Sequence, residues 1–146
     1  MKFALAQLNF HIGNFSSNSQ KIIQSIHEAR EKGADFIVFP ELAISGYPPR
    51  DFLDFTHFVE CCLKEVEEIA KHCIGISAIV GGPSFNKSGK GKKLFNTAFV
   101  LANGKILSEH QKMLLPNYDV FDEYRYFQPA YDLSLIEING EPWALT

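Results

Sequence analysis

The first forty residues alternate between continuous apolar runs and a stretch with helical spacing. Residues 3–10 carry apolar side chains on both faces of a strand, and residues 36–39 are all apolar, as is typical of strands buried inside a layered sheet. Apolar positions recur at helical spacing over 22–29. Residues 17–20 have the form of a capping box at a helix start, and Gly33 marks the helix end. This order predicts a strand–helix–strand unit with parallel strands and a right-handed crossover.

The remaining chain predicts one more helix and several further strands. Residues 59–73 carry one apolar stripe on a charged helix, and residues 74–81 form another apolar run. Two Asn-Gly pairs are typical hairpin turns, so we expect strands over 94–102 and 105–111 around Asn103-Gly104, and a last hairpin around Asn139-Gly140. The pattern therefore predicts an α/β domain.

Composition narrows the class of protein. The chain has 146 residues, of which 46% are hydrophobic and 21% are charged, and its net charge is −3. These values fit one globular domain with a hydrophobic core. The sequence has no basic stripe of the kind found in nucleic-acid-binding proteins. Its first apolar stretch is too short for a signal peptide or a membrane span. We expect a protein with no nucleic-acid or membrane partner.

The cysteines fit a reducing, cytoplasmic location. Cys61, Cys62 and Cys73 form no C-x-x-C pair and are odd in number. Cys62 and Cys73 fall on the apolar stripe of the second helix, which predicts a role in the core. His57 and Cys61 are four residues apart, but two side chains do not make a metal site, so we expect no metal here.

Two charged residues follow predicted strands. Glu41 comes directly after Pro40, which ends the second strand, and apolar residues continue beyond it. It is either a solvated loop residue or a carboxylate that needs a partner. Lys112 follows the strand 105–111 and is either a surface lysine or the partner of this acid. Such a pair supplies a general base and an oxyanion stabiliser, but no nucleophile.

Two aromatic segments could border a site between these strand ends. Residues 45–51 form a proline-rich loop that is either a rigid connector or the rim of a pocket. Residues 117–127 contain five aromatic rings among charged side chains, a composition typical of a pocket wall in an ordered loop or short helix. The glycine- and lysine-rich loop 83–93 lacks the spacing of a phosphate-binding motif and predicts a solvated hairpin tip.

These motifs carry a family resemblance over the whole chain. The sequences FPEL at 39–42 and KMLLP at 112–116, together with Glu123, resemble the carbon–nitrogen hydrolase (nitrilase) superfamily. The stretches 45–53 and 115–127 are similar to the amidase domain of bacterial glutamine-dependent NAD⁺ synthetases. The resemblance implies a nitrilase-type α-β-β-α sandwich, of which residues 1–146 would be the N-terminal part of the glutamine amidotransferase domain.

The resemblance also implies residue roles and partners. Glu41 would be the general base of a glutaminase that forms a cysteine thioester, Lys112 would stabilise the oxyanion, and Glu123 would position Lys112. Tyr118 and Tyr47 would line the glutamine pocket. No cofactor is expected in this domain. A synthetase domain absent from this chain would use ATP and Mg²⁺ to amidate deamido-NAD⁺ with the released ammonia, in a homo-oligomeric cytoplasmic enzyme.

The nucleophile is missing from this pattern. The family's cysteine is expected a few residues after a strand such as 143–146, so this piece of a longer protein should be inactive alone. Two other functions remain open. One is a stand-alone nitrilase-type amidase that acts on a small linear amide or carbamoyl compound, and the other is a non-catalytic dimerisation scaffold.

Overall fold

The apolar runs form the strands of two sheets in the computed structural model, which describes residues 1–133, 135–138 and 141–145. Helices and strands alternate in the first half of the chain, and strands dominate the second half. The elements are β1 (Phe3–Leu5), α1 (Phe15–Glu31), β2 (Phe36–Val38), a 3₁₀ helix (Arg50–Asp54), α2 (Thr56–Ala70), β3 (Ser77–Phe85), β4 (Leu94–Ala102), β5 (Lys105–Gln111), α3 (Glu123–Tyr126), β6 (Leu135–Ile138) and β7 (Glu141–Ala144).

The main sheet is mixed. Its order is β1-β2-β3-β4-β5, and β6 and β7 form a separate antiparallel pair. β1 and β3 run parallel to β2, whereas β4 runs antiparallel to both β3 and β5. The predicted parallel strand–helix–strand unit is therefore confirmed. The hairpin between β4 and β5 is also confirmed, because Asn103 and Gly104 both have positive φ, as a type I′ turn requires.

Alternation along the central strands divides their side chains between two layers. Ala78, Val80 and Phe99 face the cluster that contains the helices, whereas Ile79 and Val100 point to the other side. On that second side they pack with Phe36, Ile136 and Trp143, which brings the β6–β7 pair onto the sheet. The chain thus has a helix layer, a sheet and the beginning of a second strand layer.

Several strand boundaries differ from the sequence prediction. The first strand covers only Phe3–Leu5, and it lies at the edge of the described sheet rather than inside it. Its Leu5 side chain is 81% exposed, so apolar residues on both faces did not indicate burial on both faces. β3 begins three residues later than the run 74–81 and ends four residues beyond it, because its pairing with β4 continues to Phe85.

The helix boundaries also shift at their starts. Asn14 caps α1 by accepting a hydrogen bond from the Ser17 N–H, so the predicted cap at Ser17 is wrong by one turn. At the other end the prediction holds, since Gly33 adopts φ 72 just after the helix. The 3₁₀ helix begins at Arg50, inside the proline-rich loop 45–51. The turn at Asn139-Gly140 lies outside the described residues.

No helix in the described part of the chain is both long and apolar enough to cross a bilayer.

A buried asparagine connects α1 to the loop that follows β2. The Asn18 side chain donates to the carbonyl oxygens of His11 (2.8 Å) and Ile44 (3.1 Å), and it accepts from the His11 N–H (3.1 Å). Because Ile44 is fully buried, water cannot easily replace this donor at its carbonyl oxygen.

We predict that Asn18→Ala lowers the free energy of unfolding by about 1–3 kcal/mol, because it leaves a buried carbonyl without a partner. Gln24→Ala, an exposed change on the same helix, should stay within about 0.5 kcal/mol of the unaltered chain. Urea unfolding followed by circular dichroism measures both values. Equal losses for the two variants would contradict the structural role of Asn18.

Candidate active site

Glu41 is placed by an abrupt turn after β2. The strand ends at Val38, and Leu42 adopts a left-handed backbone conformation with φ 52 while its side chain is 1% exposed. A non-glycine residue in this conformation is strained and needs support from its surroundings. Burial of the Leu42 side chain supplies that support. The Glu41 side chain leaves this turn 42% exposed, so it is half-buried rather than fully enclosed by its apolar neighbours.

Gly81 allows this turn to pack against β3. A Cβ atom at Gly81 would lie 2.6 Å from the Leu42 nitrogen and 3.1 Å from the Glu41 Cα atom. Both are backbone atoms, so no side-chain rotation could relieve the contact. The Gly81 carbonyl oxygen also accepts a hydrogen bond from the Ile44 N–H (3.2 Å). Glycine is therefore required where the Glu41 segment crosses the sheet.

Lys112 is the first residue after β5. Its backbone N–H donates to the Asn96 carbonyl oxygen (2.8 Å), which extends the ladder between β4 and β5 by one step. Its own carbonyl oxygen accepts from the Ala130 N–H (3.1 Å). The backbone of Lys112 is thus fixed on two sides, and its side chain extends from a rigid strand end.

Glu123 opens the short helix α3 inside the aromatic segment. Its backbone N–H donates to the Pro116 carbonyl oxygen (3.2 Å), and its carbonyl oxygen accepts from the Phe127 N–H (2.9 Å). These bonds hold the turn in place and direct the side chain inward. Glu123 is 6% exposed, so it is the buried carboxylate of the site.

The three charged side chains meet at the Lys112 ammonium group. Lys112 Nζ donates to Glu41 Oε1 (2.9 Å) and to Glu123 Oε1 and Oε2 (3.1 and 3.0 Å). Glu41 is 71 positions and Glu123 is 11 positions from Lys112 in sequence, and the fold brings both carboxylates to one nitrogen atom. The sequence left open whether Lys112 is a surface lysine or the partner of Glu41, and the structure places the two side chains in contact. Their catalytic roles stay a prediction.

The surroundings change the pKa of two of these groups. Burial raises the pKa of Glu123, and the nearby Glu41 charge raises it further, while the bond to Lys112 opposes both effects. Burial alone would lower the pKa of Lys112, but its bonds to Glu41 and Glu123 outweigh this effect, so the pKa lies above its usual value. Lys112 therefore remains charged at neutral pH.

The two aromatic segments meet beside Glu123. Arg125 Nη2 lies 3.0 Å from Asp51 Oδ1, and the Tyr126 hydroxyl donates to the same oxygen. Residues 47–51, 120–123 and 125–127 border a cavity of about 150 Å³, so both Tyr47 and Glu123 line it. The proline-rich loop is therefore a pocket rim.

The two predicted substrate-binding tyrosines lie in different places. Tyr47 borders the cavity beside Glu123, and burial together with the charges of Glu123 and Glu41 raises its pKa. Tyr118 is 68% exposed, and its ring contacts the Phe121 ring at 5.7 Å between centroids. Tyr118 lines neither this cavity nor the larger one that Glu41 and Lys112 line. Its substrate contact stays a prediction.

A second cavity, of about 470 Å³, opens on the sheet face that lacks helices. Glu41, Asn96 and Lys112 line one side of it, and the other lining residues are mostly apolar. Leu133 and Leu145 border it from the C-terminal region. Glu41 and Lys112 therefore face a space that is large enough to admit another segment of chain or a small substrate.

Asn96 and Gly81 were not identified from the sequence. Asn96 lies on β4, is 4% exposed, and donates through Nδ2 to Glu41 Oε1. The sequence feature that could have identified Asn96 is an amide side chain within an apolar strand, since a buried polar group requires a partner. The signal of Gly81 was a glycine inside a strand, which often marks a close backbone approach.

The cysteines lie apart from this site. Cys62 and Cys73 belong to the core cluster under the helices, and burial raises both thiol pKa values, that of Cys73 to about 12. The Cys61 thiol contacts His57 on the exposed side of α2. Among the described residues, no group of three or more His, Cys, Asp or Glu side chains could hold a metal ion.

Comparisons with known proteins identify the family of this chain. The carbon–nitrogen hydrolase family model matches residues 2–141. The glutamine-dependent NAD(+) synthetase of Aquifex aeolicus is 41% identical over 142 residues, which are 96% of this chain and 24% of that protein. The Synechocystis enzyme of the same name is 43% identical over 131 residues, with 87% and 24% covered. The chain thus spans about a quarter of the length of these curated relatives.

Solved structures confirm the predicted nitrilase-type fold. The glutamine-dependent NAD+ synthetase of Acinetobacter baumannii, in complex with ADP, matches with a TM-score of 0.87 and 34% identity. The match covers 97% of this chain and 26% of that one. A cysteine-to-alanine mutant of a nitrilase-superfamily amidase from Nesterenkonia matches with a TM-score of 0.82, 22% identity, and 99% and 54% coverage. This second likeness concerns the fold alone.

We predict that Glu123→Gln lowers the pKa of Lys112, because it removes a negative charge while burial of the ammonium group remains. The folded-state pKa of Lys112 is raised, so its ion pairs stabilise the chain at lower pH and are lost as the pH rises through that value. In Glu123→Gln this loss should begin at a lower pH. Titration of the Lys112 side-chain NMR signal measures the shift.

Glu109→Gln is the matched control for this titration, since Glu109 is an exposed acid on β5. It should leave the pKa of Lys112 unchanged. A Lys112 pKa that is equally insensitive to Glu123→Gln would show that the ion pair does not form in solution.

Proposed function

This chain belongs to the carbon–nitrogen hydrolase family, and we propose that it supplies the acid–base and oxyanion-stabilising residues of a glutaminase. The observation that carries the proposal is the Lys112 ammonium group held between Glu41 and Glu123. One carboxylate is half-exposed toward a cavity and the other is buried. This difference suits two separate roles, a base that meets the reactants and an anchor that does not.

The proposed reaction begins with a cysteine thiol in the cavity beside Glu41. Glu41 takes the thiol proton, and the sulfur attacks the side-chain amide carbon of glutamine. Lys112 stabilises the negative oxygen of the tetrahedral intermediate, and protonated Glu41 returns its proton to the departing ammonia. Water then attacks the thioester with Glu41 as base, and glutamate is released with the free thiol.

Glu123 acts in this scheme through Lys112. Both of its oxygens accept from the ammonium group, which therefore has one fixed position and stays charged. An oxyanion stabiliser is effective when it is held in place before charge develops, because the enzyme then need not reorganise during the reaction. Glu123 is accordingly a positioning residue.

We infer that the nucleophile comes from residues outside this chain. Cys62 and Cys73 have raised thiol pKa values in the core, whereas a nucleophilic cysteine requires a thiolate that is accessible to substrate. Cys61 lies on α2 beside His57 and not beside Glu41. We place the nucleophilic cysteine beyond Thr146, where it would enter the cavity that Glu41 and Lys112 line.

For the whole protein we propose a glutamine-dependent NAD⁺ synthetase. Two observations support this proposal, the name shared by the relatives and the quarter of their length that this chain spans. The released ammonia would pass to a synthetase domain, where ATP and Mg²⁺ support amidation of deamido-NAD⁺ to NAD⁺. Assembly into a homo-oligomer and a cytoplasmic location stay predictions.

We expect Glu41→Gln in the full-length protein to lower kcat for glutamine hydrolysis by about 10²–10⁴-fold, because the amide cannot accept the thiol proton. Glu109→Gln should retain full activity, since this residue is exposed on β5. Ammonia release from glutamine and from propionamide measures both variants. Full activity in Glu41→Gln would favour a scaffold, and hydrolysis of propionamide but not glutamine would favour a stand-alone amidase.

We further predict that the 146-residue chain alone does not hydrolyse glutamine, whereas the full-length protein does. The reason is that the described residues supply a base and an oxyanion stabiliser but no thiol beside them. Ammonia release is measured for both proteins at equal concentration, with intact mass confirming each. Hydrolysis by the short chain above the rate of its own Glu41→Gln variant would place the nucleophile within these 146 residues.

A further inference from the structure

We propose that Asn96 is a positioning residue that holds Oε1 of Glu41 and leaves Oε2 to take the thiol proton. This inference rests on the cysteine mechanism proposed above. It adds a fourth residue to the three charged groups and assigns different tasks to the two oxygens of one carboxylate.

Asn96 bonds to both residues that flank the reaction. Its side-chain Nδ2 donates to Glu41 Oε1, and its backbone carbonyl oxygen accepts from the Lys112 N–H (2.8 Å). It is the third residue of β4, where it pairs with Pro83 on β3. One residue on a central strand therefore links the base and the oxyanion stabiliser through rigid backbone.

The position of Asn96 is unfavourable for its residue type. Asparagine is depleted in strands, and a 4% exposed amide must satisfy its polar atoms within the protein. Its acceptor is a carboxylate whose side chain is 42% exposed and could otherwise rotate toward solvent. Because Asn96 is already fixed by burial, the hydrogen bond mainly limits rotation of the Glu41 side chain.

The two oxygens of Glu41 have different surroundings. Oε1 accepts from both Asn96 Nδ2 and Lys112 Nζ, whereas within the described ranges no N–H group donates to Oε2. A carboxylate oxygen that already accepts two donors is less available to a third. The unshared oxygen is therefore the one that can accept a proton from a thiol in the cavity.

The test uses the full-length protein with Asn96→Leu, which keeps approximate volume, and Asn96→Ala. We expect kcat for glutamine to fall by about 10- to 100-fold with KM changed by less than about twofold, since a bond to a charged group is lost. The acidic limb of the pH profile should move to higher pH, because a donor that favours the charged carboxylate is removed. The other titratable groups that face Glu41 or its cavity, Lys112, Glu123, Tyr47 and His110, are retained.

Ser84→Ala is the matched control, since Ser84 is a buried polar residue on the adjacent strand β3. It loses a side-chain hydrogen bond to Thr97, and in the described part of the chain the Ser84 side chain makes no hydrogen bond to Glu41 or Lys112. Its pH profile should equal that of the unaltered protein. Because the folded fraction of a destabilised variant can itself change with pH, circular dichroism at each pH distinguishes unfolding from a shift of the limb.

Alkylation by iodoacetamide separates this inference from the choice of substrate. The rate of modification of the cysteine beyond Thr146, followed by peptide mass spectrometry, should show the same shift of its acidic limb in both Asn96 variants. Unchanged limbs in both variants would overturn the positioning role, whatever the kcat values. A shift in a protein that does not hydrolyse glutamine would support Asn96 and overturn the proposed substrate. Absence of a reactive thiol there would overturn both proposals.

Discussion

One partly buried ammonium group shared by two carboxylates is the interaction on which the site depends. Removing any one of these charges from water is costly unless the others remain in contact with it. Lys112 keeps both carboxylates in contact with an opposite charge, because it bonds to Glu41 at the edge of a cavity and to Glu123 in the interior. The excess negative charge of the trio is placed on the carboxylates, one of which faces the space where a proton donor would enter.

The mixed sheet brings these three groups together. Glu41 follows β2, the second strand of the sheet, while β4 and β5 form a hairpin that places Lys112 in the same region. The aromatic segment then crosses back so that α3 adds Glu123 from another side. Gly81 and Asn96 make this convergence possible, the first by allowing close backbone contact and the second by linking two strand ends.

The layer arrangement relates this chain to its larger relatives. Helices cover one face of the sheet, and the β6–β7 pair covers part of the other, beside the cavity that Glu41 and Lys112 line. Solved proteins with the same fold are longer, and the chain matches 26% of one and 54% of another. The family membership and the fold are established by these matches, and the glutaminase mechanism is our proposal.

The sequence by itself determined most of the local elements and indicated Glu41 and Lys112 as candidates, while Glu123 came from the family resemblance. Helical spacing, a turn pair at Asn103-Gly104 and motifs around Glu41 and Lys112 are signals contained within a few neighbouring residues. Only the tertiary structure decided that β1 lies at an edge, that Glu123 rather than Glu41 is buried, and that the Asn96 side chain donates to Glu41. These features arise from contacts between residues distant in sequence, and such contacts leave no periodic pattern along the chain.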